Sequence, residues 1–572
     1  MNNLLVAEIF RKITKILEIK GENVFRIRAY ERAGRNIESL SQDVASLVKE
    51  DRLDEIPGVG KDLAEKVREI VKTGRLKFLE ELEKSVPGGI LELLEIPSVG
   101  PKTASLLYRE LKIKNIADLE KAIAQNKIKG LFGIKEKTIE NIKRGIEIIR
   151  KGRERMVLSV AQATAGEFIQ QLKKIPEIAK ISAAGSLRRK KDTVRDIDIL
   201  AVSKNHEKVM NVFTGLAQVK AILAKGETKS SVLTKDDIQV DLRVVDEKSF
   251  GAALFYFTGS KSFNIKIRQL AIRKKYKLNE YGLFSEKRRE RLIAGRTEDE
   301  IFAKLGMDYI APELREDTGE IELALKHKLP TLIELKDIKG DLHAHSKWSD
   351  GSNSIEEIVE ACIKRGYSYI AVTDHSKSLK VAGGLSVAEL KKKKSEIDKI
   401  NKKLKNFRVL YAAEVDIDSG GRLDYRDEVL KEFDVVVAAI HTGFKQSKEQ
   451  LTRRIVKAAQ NKYAHIIAHP TGRLWGTRTA YDLDFKEIFK AARDTNTQLE
   501  INSFPNRLDL NETNARSAKE AGVKIAISTD AHTTDQLFNM EFGVSVARRG
   551  WLSKKDVINT LTVDELLKAI KK

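Results

Sequence analysis

ISAAGSLRRKKDTVRDIDILAVS (181–203) ends in an apolar run, typical of a buried strand, that carries Asp196 and Asp198. Because side chains two residues apart on a strand point to the same face, these two carboxylates are predicted to lie together. A second apolar run, IQVDLRVV (238–245), brings Asp241. Three carboxylates from two strands can hold two divalent cations, an arrangement that catalyses phosphoryl transfer.

A Gly-Ser turn lies just upstream of the two acids. Gly185 lets the backbone approach a ligand closely, and Ser186 adds a hydroxyl group. Arg188 and Arg189 add guanidinium groups, which suit phosphate oxygens. An acidic pair on a strand also arises from simple polar–apolar alternation on a surface, but the Gly-Ser turn and the third acid favour a site.

The charge of the chain is concentrated around this region. The 572 residues carry a net charge of +22, and residues 101–300 contain 43 Lys and Arg against 25 Asp and Glu. Such a basic region is typical of a surface that binds a polyanion such as nucleic acid. The alternative is a solvated surface of ion pairs that binds no ligand.

A repeated motif lies further towards the N-terminus. LDEIPGVGKDLAEKVREI (53–70) returns as LLEIPSVGPKTASLLYRE (93–110), and GLFGIKEKTIENIK (130–143) is a weaker third candidate. Each of the first two predicts a tight turn followed by an amphipathic helix, whose N-terminus would bind a DNA phosphate near Gly58, Gly60 and Gly100. The motif resembles the helix-hairpin-helix, although Ser98 replaces the first glycine in the second copy. The alternative is a pair of turns that only pack.

Together these motifs resemble the family X DNA polymerases of the nucleotidyltransferase superfamily. The resemblance rests on GSLRR, RDIDIL, VDLRV and FYFTGSKSFNIKIRQLA (255–271), and it covers residues 1–318. It implies that Asp196, Asp198 and Asp241 are catalytic and hold Mg²⁺ or Mn²⁺. It further implies that the incoming nucleotide and nascent base pair are bound by Gly185, Ser186, Arg189, Tyr256, Phe257, Gly259, Asn264 and Arg268.

The N-terminal part resembles the lyase domain of that family. The resemblance implies that Lys66 forms a Schiff base with an abasic sugar, since a partly desolvated lysine is a suitable amine nucleophile. Asp62 departs from the family, which often has a basic residue there. The alternative is that Lys66 is an ordinary cation on a helix surface.

The C-terminal part alternates strand-like and helical segments, and its strands end in metal-binding residue types. This pattern predicts a (β/α) barrel with a site at the strand C-termini. The nitrogen and oxygen ligands suit Zn²⁺, Mn²⁺ or Fe²⁺. The predicted ligands are His343, His345, Asp350, His375, Glu414, His441, His469, Asp530 and His532.

This set resembles the PHP (polymerase and histidinol phosphatase) domain, whose members hold up to three metals and cleave phosphoesters. All nine ligand positions of the family are filled in order. The resemblance therefore implies an active hydrolytic centre, because a cluster of this kind acidifies bound water and clamps a phosphate.

We therefore predict a multidomain α+β and α/β protein: N-terminal helical helix-hairpin-helix domains, a nucleotidyltransferase palm and a C-terminal distorted (β/α)7 PHP barrel. The predicted segments are a lyase-like domain (1–85), a DNA-binding hairpin subdomain (86–150), the palm (151–247), a nascent-base-pair subdomain (248–318), a linker (319–335) and the PHP domain (336–572). No apolar run approaches the about 20 residues of a membrane span, and no secretory signal pattern is found, so we expect a cytoplasmic protein without membrane contact.

The family resemblance implies a gap-filling DNA polymerase of base excision repair with a 3′–5′ exonuclease or abasic-site phosphodiesterase. Its partners would be gapped or nicked DNA and dNTPs, and we expect a monomer. One alternative is a structural PHP barrel or one that hydrolyses a small phosphate ester. Another is a repair scaffold in which both sites are inactive.

Overall fold

The computed structural model describes residues 2–38, 44–56, 58–87, 89–96, 99–129, 155–285 and 291–572, with isolated positions between 131 and 146. Among these residues, no helix combines the length and the apolar character needed to cross a bilayer.

The N-terminal part is helical. Its helices are α1 (Asn2–Lys20), α2 (Val24–Glu38), α3 (Val44–Lys49), α4 (Lys61–Thr73), α5 (Lys77–Lys84), α6 (Pro101–Leu111) and α7 (Ile116–Ala124). Gly60 and Gly100 immediately precede α4 and α6, and both have extended backbones (φ −85° and −84°). Gly58 has φ +86°, which favours glycine. Ser98 and most of 130–143 lie outside the described residues.

A mixed sheet follows, whose strands and helices are β1 (Met156–Val157), α8 (Leu158–Leu172), β2 (Lys180–Ala183), α9 (Gly185–Arg188), β3 (Thr193–Val194), β4 (Ile197–Val202), α10 (His206–Thr214), β5 (Val219–Lys225), β6 (Lys229–Thr234) and β7 (Gln239–Val245). Strands β1 and β3 form a separate antiparallel pair, and the five-stranded sheet has the order β2-β4-β7-β6-β5. Strands β4 and β7 run parallel, so their N-terminal ends meet at one edge.

The next unit packs around a buried arginine. Its elements are α11 (Phe250–Thr258), α12 (Lys261–Arg273), β8 (Tyr276–Asn279), β9 (Gly282–Ser285), β10 (Arg291–Ala294), α13 (Glu298–Lys304) and α14 (Glu320–Leu325). Arg315 is fully buried, and its guanidinium lies 5.2–5.8 Å from the centroids of four aromatic rings. Helix α14, within the expected linker, packs Ile321 and Ala324 into this same core.

The C-terminal part is a nearly closed barrel of seven parallel strands that neighbour one another in chain order. Its strands are β11 (Gly340–Ala344), β12 (Tyr369–Val372), β13 (Arg408–Asp416), β14 (Val435–Ala439), β15 (Ile466–Ile467), β16 (Gln498–Asn502) and β17 (Ile525–Ser528). Its helices are α15 (Ile355–Lys364), α16 (Val387–Lys403), α17 (Asp427–Leu430), α18 (Lys448–Gln460), α19 (Phe485–Asp494), α20 (Glu512–Glu520), α21 (Met540–Arg549) and α22 (Val563–Ala569).

Backbone hydrogen bonds join the first and last strands of this barrel. The amide of Asp530 donates to the carbonyl of His343 (2.9 Å), and the amide of His345 donates to the carbonyl of Ala531 (2.8 Å). Strands β12, β14 and β16 are buried along their whole length, and β12 and β14 are almost entirely apolar, as expected for a parallel sheet covered by helices. The predicted fold class is confirmed.

Candidate active sites

The structure brings the three predicted aspartates together at the edge of the palm sheet. Asp198 on β4 lies directly beside Asp241 on the neighbouring parallel strand β7, and Asp196 immediately precedes β4. Asp241 is only 6% exposed. Their proximity follows from the parallel pairing of β4 and β7, which aligns the two acids in register.

The electrostatics of this group fit a divalent cation. Burial, followed by the charges of Asp196 and Asp241, raises the pKa of Asp198 to about 7. Lys229 Nζ lies 2.6 Å from Asp241 Oδ2 and offsets part of the negative charge. Carboxylate oxygens are the ligands that Mg²⁺ and Mn²⁺ prefer, and the binding of such an ion by these three residues stays a prediction.

Gly185 lies so close to this group that no residue with a side chain fits at its position. Its φ is +59°, and a Cβ added there would lie 2.4 Å from Asp198 Oδ2. The amide of Ala184 donates to the carbonyl of Asp198 (2.8 Å), which fixes the turn against β4.

We expect Gly185→Ala to reduce nucleotide incorporation at least about tenfold, because the added methyl group must displace the Asp198 carboxylate by close to an ångström. Primer extension at saturating dNTP measures the effect. The control is Gly166→Ala, since a Cβ at that position in α8 meets no atom within 4 Å. Equal rates for the two variants would contradict the expectation.

The predicted nucleotide contacts around the end of α11 also lie together. Gly259 ends the helix with φ +67°, and Asn264 Nδ2 donates to the carbonyl of Tyr256 (2.7 Å). The Arg268 guanidinium lies 6.0 Å from the centroid of the Tyr256 ring, and the Phe257 ring stands edge-on to that of Tyr256 with centroids 5.2 Å apart. Their binding roles stay predictions.

The two arginines of the GSLRR motif already have protein partners. Arg188 forms two hydrogen bonds with Glu298, at 2.6 and 2.9 Å. Although burial opposes ionisation of Glu298, Arg188 and Arg315 lower the pKa of that carboxyl to about 2, so this ion pair is structural. Arg189 donates to Glu316 (3.0 Å) and to the carbonyl of Thr258. It would have to leave Glu316 to bind a phosphate.

Lys66 is only partly exposed (16% of its side chain). Its ammonium forms an ion pair with Asp62 and lies 5.3 Å from the centroid of the Phe78 ring. The Tyr30 ring stacks on the Phe78 ring, with the two centroids 6.1 Å apart. The environment is aromatic and partly desolvated, as a lysine nucleophile requires, but the amine is paired with a carboxylate.

All nine predicted ligands of the barrel converge at one end of it, where the strands terminate. Eight of them form three groups, and within each group the ligand atoms lie within 4.8 Å of one another. The groups are His345, Asp350, His375 and His532; His343, His345 and Asp530; and His375, Glu414 and His441. The ninth, His469, places Nε2 3.0 Å from Glu414 Oε1.

Glu414 lies at the centre of this cluster. Its oxygens are 2.9 Å from His375 Nδ1 and 3.2 Å from His441 Nε2, and the residue is 1% exposed. Burial opposes its ionisation, but the charges of His441, His343 and His375 hold the pKa of the carboxyl well below its usual range. A buried, ionised carboxylate among imidazoles is compatible with the binding of divalent metal.

The histidines also fit bound metal. Both ring nitrogens of His345 are buried and lack a hydrogen bond to any described residue, yet carboxylate oxygens of Asp530 and Glu414 lie 3.3 and 3.6 Å from its Nε2. Burial and the adjacent His375 lower the pKa of His345 to about 4, so its ring is neutral and has a lone pair available. The cluster is therefore compatible with divalent metal binding.

Four family models match the chain in consecutive ranges. They are the helix-hairpin-helix domain (1–76), the SAM-like helix-hairpin-helix tandem (90–147), the DNA polymerase beta thumb (253–316) and the PHP domain (341–503). The DNA polymerase/3′-5′ exonuclease PolX of Bacillus subtilis (strain 168) is 40% identical over 563 residues, 98% of both chains. The chain belongs to the family X DNA polymerases. The resemblance to this family and to the PHP domain is thus confirmed.

This family X polymerase is similar to other proteins over parts of its length. DNA polymerase lambda of Rattus norvegicus is 28% identical over 350 residues, 55% of this chain and 56% of that protein. A probable phosphatase of Thermoanaerobacter sp. (strain X514) is 30% identical over 231 residues, 38% of this chain and 89% of that protein.

Two carboxylates that orient the ligands of the polymerase's PHP domain were not predicted. Glu500 Oε1 lies 2.8 Å from His343 Nδ1, and its other oxygen accepts from the amide of His469 (2.8 Å). Asp416 pairs with Nδ1 of His441. Such partners fix the ring orientation of a metal-binding histidine. An acid within the apolar strand QLEIN (498–502) was the available signal for Glu500.

Proposed function

We propose that this polymerase fills short gaps in DNA during base excision repair, and that its PHP domain hydrolyses phosphodiester bonds at 3′ ends and at abasic sites. The observation that carries the proposal is that two centres of different chemistry lie in separate domains, an all-oxygen group in the palm and a histidine–carboxylate cluster in the barrel. The name of the Bacillus subtilis relative, which includes both activities, supports the same assignment.

In the palm, Asp196, Asp198 and Asp241 would hold Mg²⁺ or Mn²⁺, which activates the primer 3′-hydroxyl and stabilises the leaving pyrophosphate. Tyr256 and Phe257, at the end of α11, would line the sugar of a dNTP and exclude a 2′-hydroxyl. The protein would act as a monomer.

Two helix N-termini would hold the DNA. The amides at the starts of α4 and α6, after Gly60 and Gly100, would bind backbone phosphates, as the N-terminus of a helix favours anions. Contacts of this kind position DNA without reading its sequence, as a gap-filling enzyme requires.

In the barrel, up to three ions of Zn²⁺, Mn²⁺ or Fe²⁺ would supply an acidified water and a clamp for the phosphate. Glu414, next to His375, would act as a shared ligand. Glu500 and Asp416 would hold the rings of His343 and His441 in place.

A labelled primer beside a one-nucleotide gap tests the proposal. With dNTPs and Mg²⁺, we expect extension by one nucleotide; with Mn²⁺ and no dNTP, we expect shortening from the 3′ end. A primer that is neither extended nor shortened would reject both activities, and shortening from the 5′ end would reject the assigned direction.

The similarity to a probable phosphatase favours a second candidate for the barrel, the hydrolysis of small phosphate esters. The ratio of kcat/KM for labelled single-stranded DNA to that for p-nitrophenyl phosphate separates the two. A ratio below one would favour the small ester.

For the lyase activity implied by the resemblance, we expect Lys66→Ala to abolish borohydride-trapped adducts with a 5′-deoxyribose phosphate end. The side chain is the partly buried amine of α4, and its removal takes away the amine that would form the Schiff base. Lys72→Ala, at an exposed position in the last turn of the same helix, is the control and should trap normally. Equal trapping by both variants would contradict the role of Lys66.

A further inference from the structure

One residue of the palm contacts the loop that follows a barrel ligand. Asp192 lies between α9 and β3, and its Oδ2 is 3.0 Å from Nη1 of Arg473. Both side chains are largely buried (21% and 13% exposed). Arg473 is four residues after His469, in a loop where the amide of Gly472 donates to the carbonyl of His469 (2.9 Å).

The same guanidinium also holds the loop that follows strand β16. Arg473 Nε donates to the carbonyl of Arg507 (2.8 Å), and Nη2 donates to the carbonyl of Leu508. Arg507 in turn places Nε 3.4 Å from Oδ2 of Asp530. Arg473 therefore links the loop that follows the predicted ligand His469 to the segment whose Arg507 faces the predicted ligand Asp530.

We propose that Asp192 is a positioning residue of the PHP centre, supplied by the polymerase half of the chain. Two of the three hydrogen bonds of Arg473 end on neutral carbonyls, and the third ends on Asp192, so Asp192 is the carboxylate that orients this guanidinium directly. Without that partner, Arg473 keeps its two carbonyl bonds and its contact with the Trp475 ring (4.8 Å). It loses the carboxylate that fixes its third hydrogen bond, so the clamp between the loops of His469 and Arg507 is loosened. The inference rests on the proposed metal-dependent hydrolysis by the barrel.

The test measures Zn²⁺ affinity of the full chain by calorimetry, in excess Mg²⁺ to fill the all-oxygen palm site. We expect Asp192→Asn to weaken Zn²⁺ binding and slow hydrolysis of labelled single-stranded DNA by about tenfold each, the size typical for a residue that orients metal ligands. Asp192→Glu should recover most of both. The double variant Asp192→Asn plus Arg473→Gln should lose no more Zn²⁺ affinity and no more hydrolysis than Arg473→Gln alone, because both changes break the same contact.

The matched control is Glu313→Gln, which breaks another partly buried ion pair with the barrel, to Arg548 at 2.7 Å. That pair does not touch either ligand loop, so Zn²⁺ affinity should stay normal. Equal losses in Asp192→Asn and Glu313→Gln, or normal affinity and hydrolysis in Asp192→Asn, would overturn the positioning role. Absence of Zn²⁺ binding and hydrolysis in the unaltered protein would instead refute the proposed function of the barrel.

Discussion

Replacement of Asp198 by alanine should lower nucleotide incorporation at least about 10³-fold, because cation stabilisation of the transition state contributes several kcal/mol. The charges of Asp196 and Asp241 both raise the pKa of Asp198, so Asp198 interacts with both other acids. Its removal therefore disrupts the whole group. Hydrolysis of single-stranded DNA should stay near normal, since the barrel cluster contains none of these residues. Primer extension and 3′-end shortening, measured on one preparation, give both values.

The control is Asp246→Ala, which removes an exposed acid immediately after β7. Both activities should remain close to those of the unaltered protein. If Asp198→Ala abolished incorporation and hydrolysis together while remaining folded, the assignment of two independent centres would be wrong.

The double change His343→Ala plus His345→Ala should remove DNA hydrolysis and most bound metal from the barrel. These two side chains are buried and contribute to two of the three ligand groups, so the double change removes donors from both groups. Elemental analysis of the purified protein measures the metal, and 3′-end shortening measures the activity. Gap filling should continue, because the palm acids are unchanged.

The control for this pair is His465→Asn. His465 Nδ1 accepts from the amide of Val436 at 3.0 Å, a role that an asparagine oxygen can keep. This variant should retain metal and hydrolysis. Full exonuclease activity in the His343/His345 double variant would refute the assignment of the hydrolytic centre.

The sequence predicted the features that depend on local pattern. Asp198 and Asp241 stand at the same end of two apolar runs, so their strand positions could be read directly, and the structure adds only that β4 and β7 are parallel neighbours. The barrel ligands likewise follow apolar runs, and parallel strands necessarily bring their C-terminal ends together.

The features that were missed join residues that are far apart in the chain. Glu298 neutralises Arg188, and Glu316 accepts from Arg189, across more than a hundred residues. Asp192 meets Arg473 across an even longer separation. No local periodicity marks such pairs, because each depends on how whole units dock. An arginine that the sequence suggests as a phosphate ligand can therefore already be paired with a carboxylate of its own chain.

One of the hydrogen bonds that close the barrel joins two residues that could also bind metal, His343 and Asp530. His343 comes from the first strand and Asp530 from the end of the last, so an ion bound between them would cross-link the two ends of the domain. A ligand that binds only the folded state stabilises it, and a link across so long a segment restricts the unfolded chain strongly. Metal supply would then contribute to the stability of the folded barrel and, because palm and barrel residues share one hydrophobic cluster, to that of the palm packed against it.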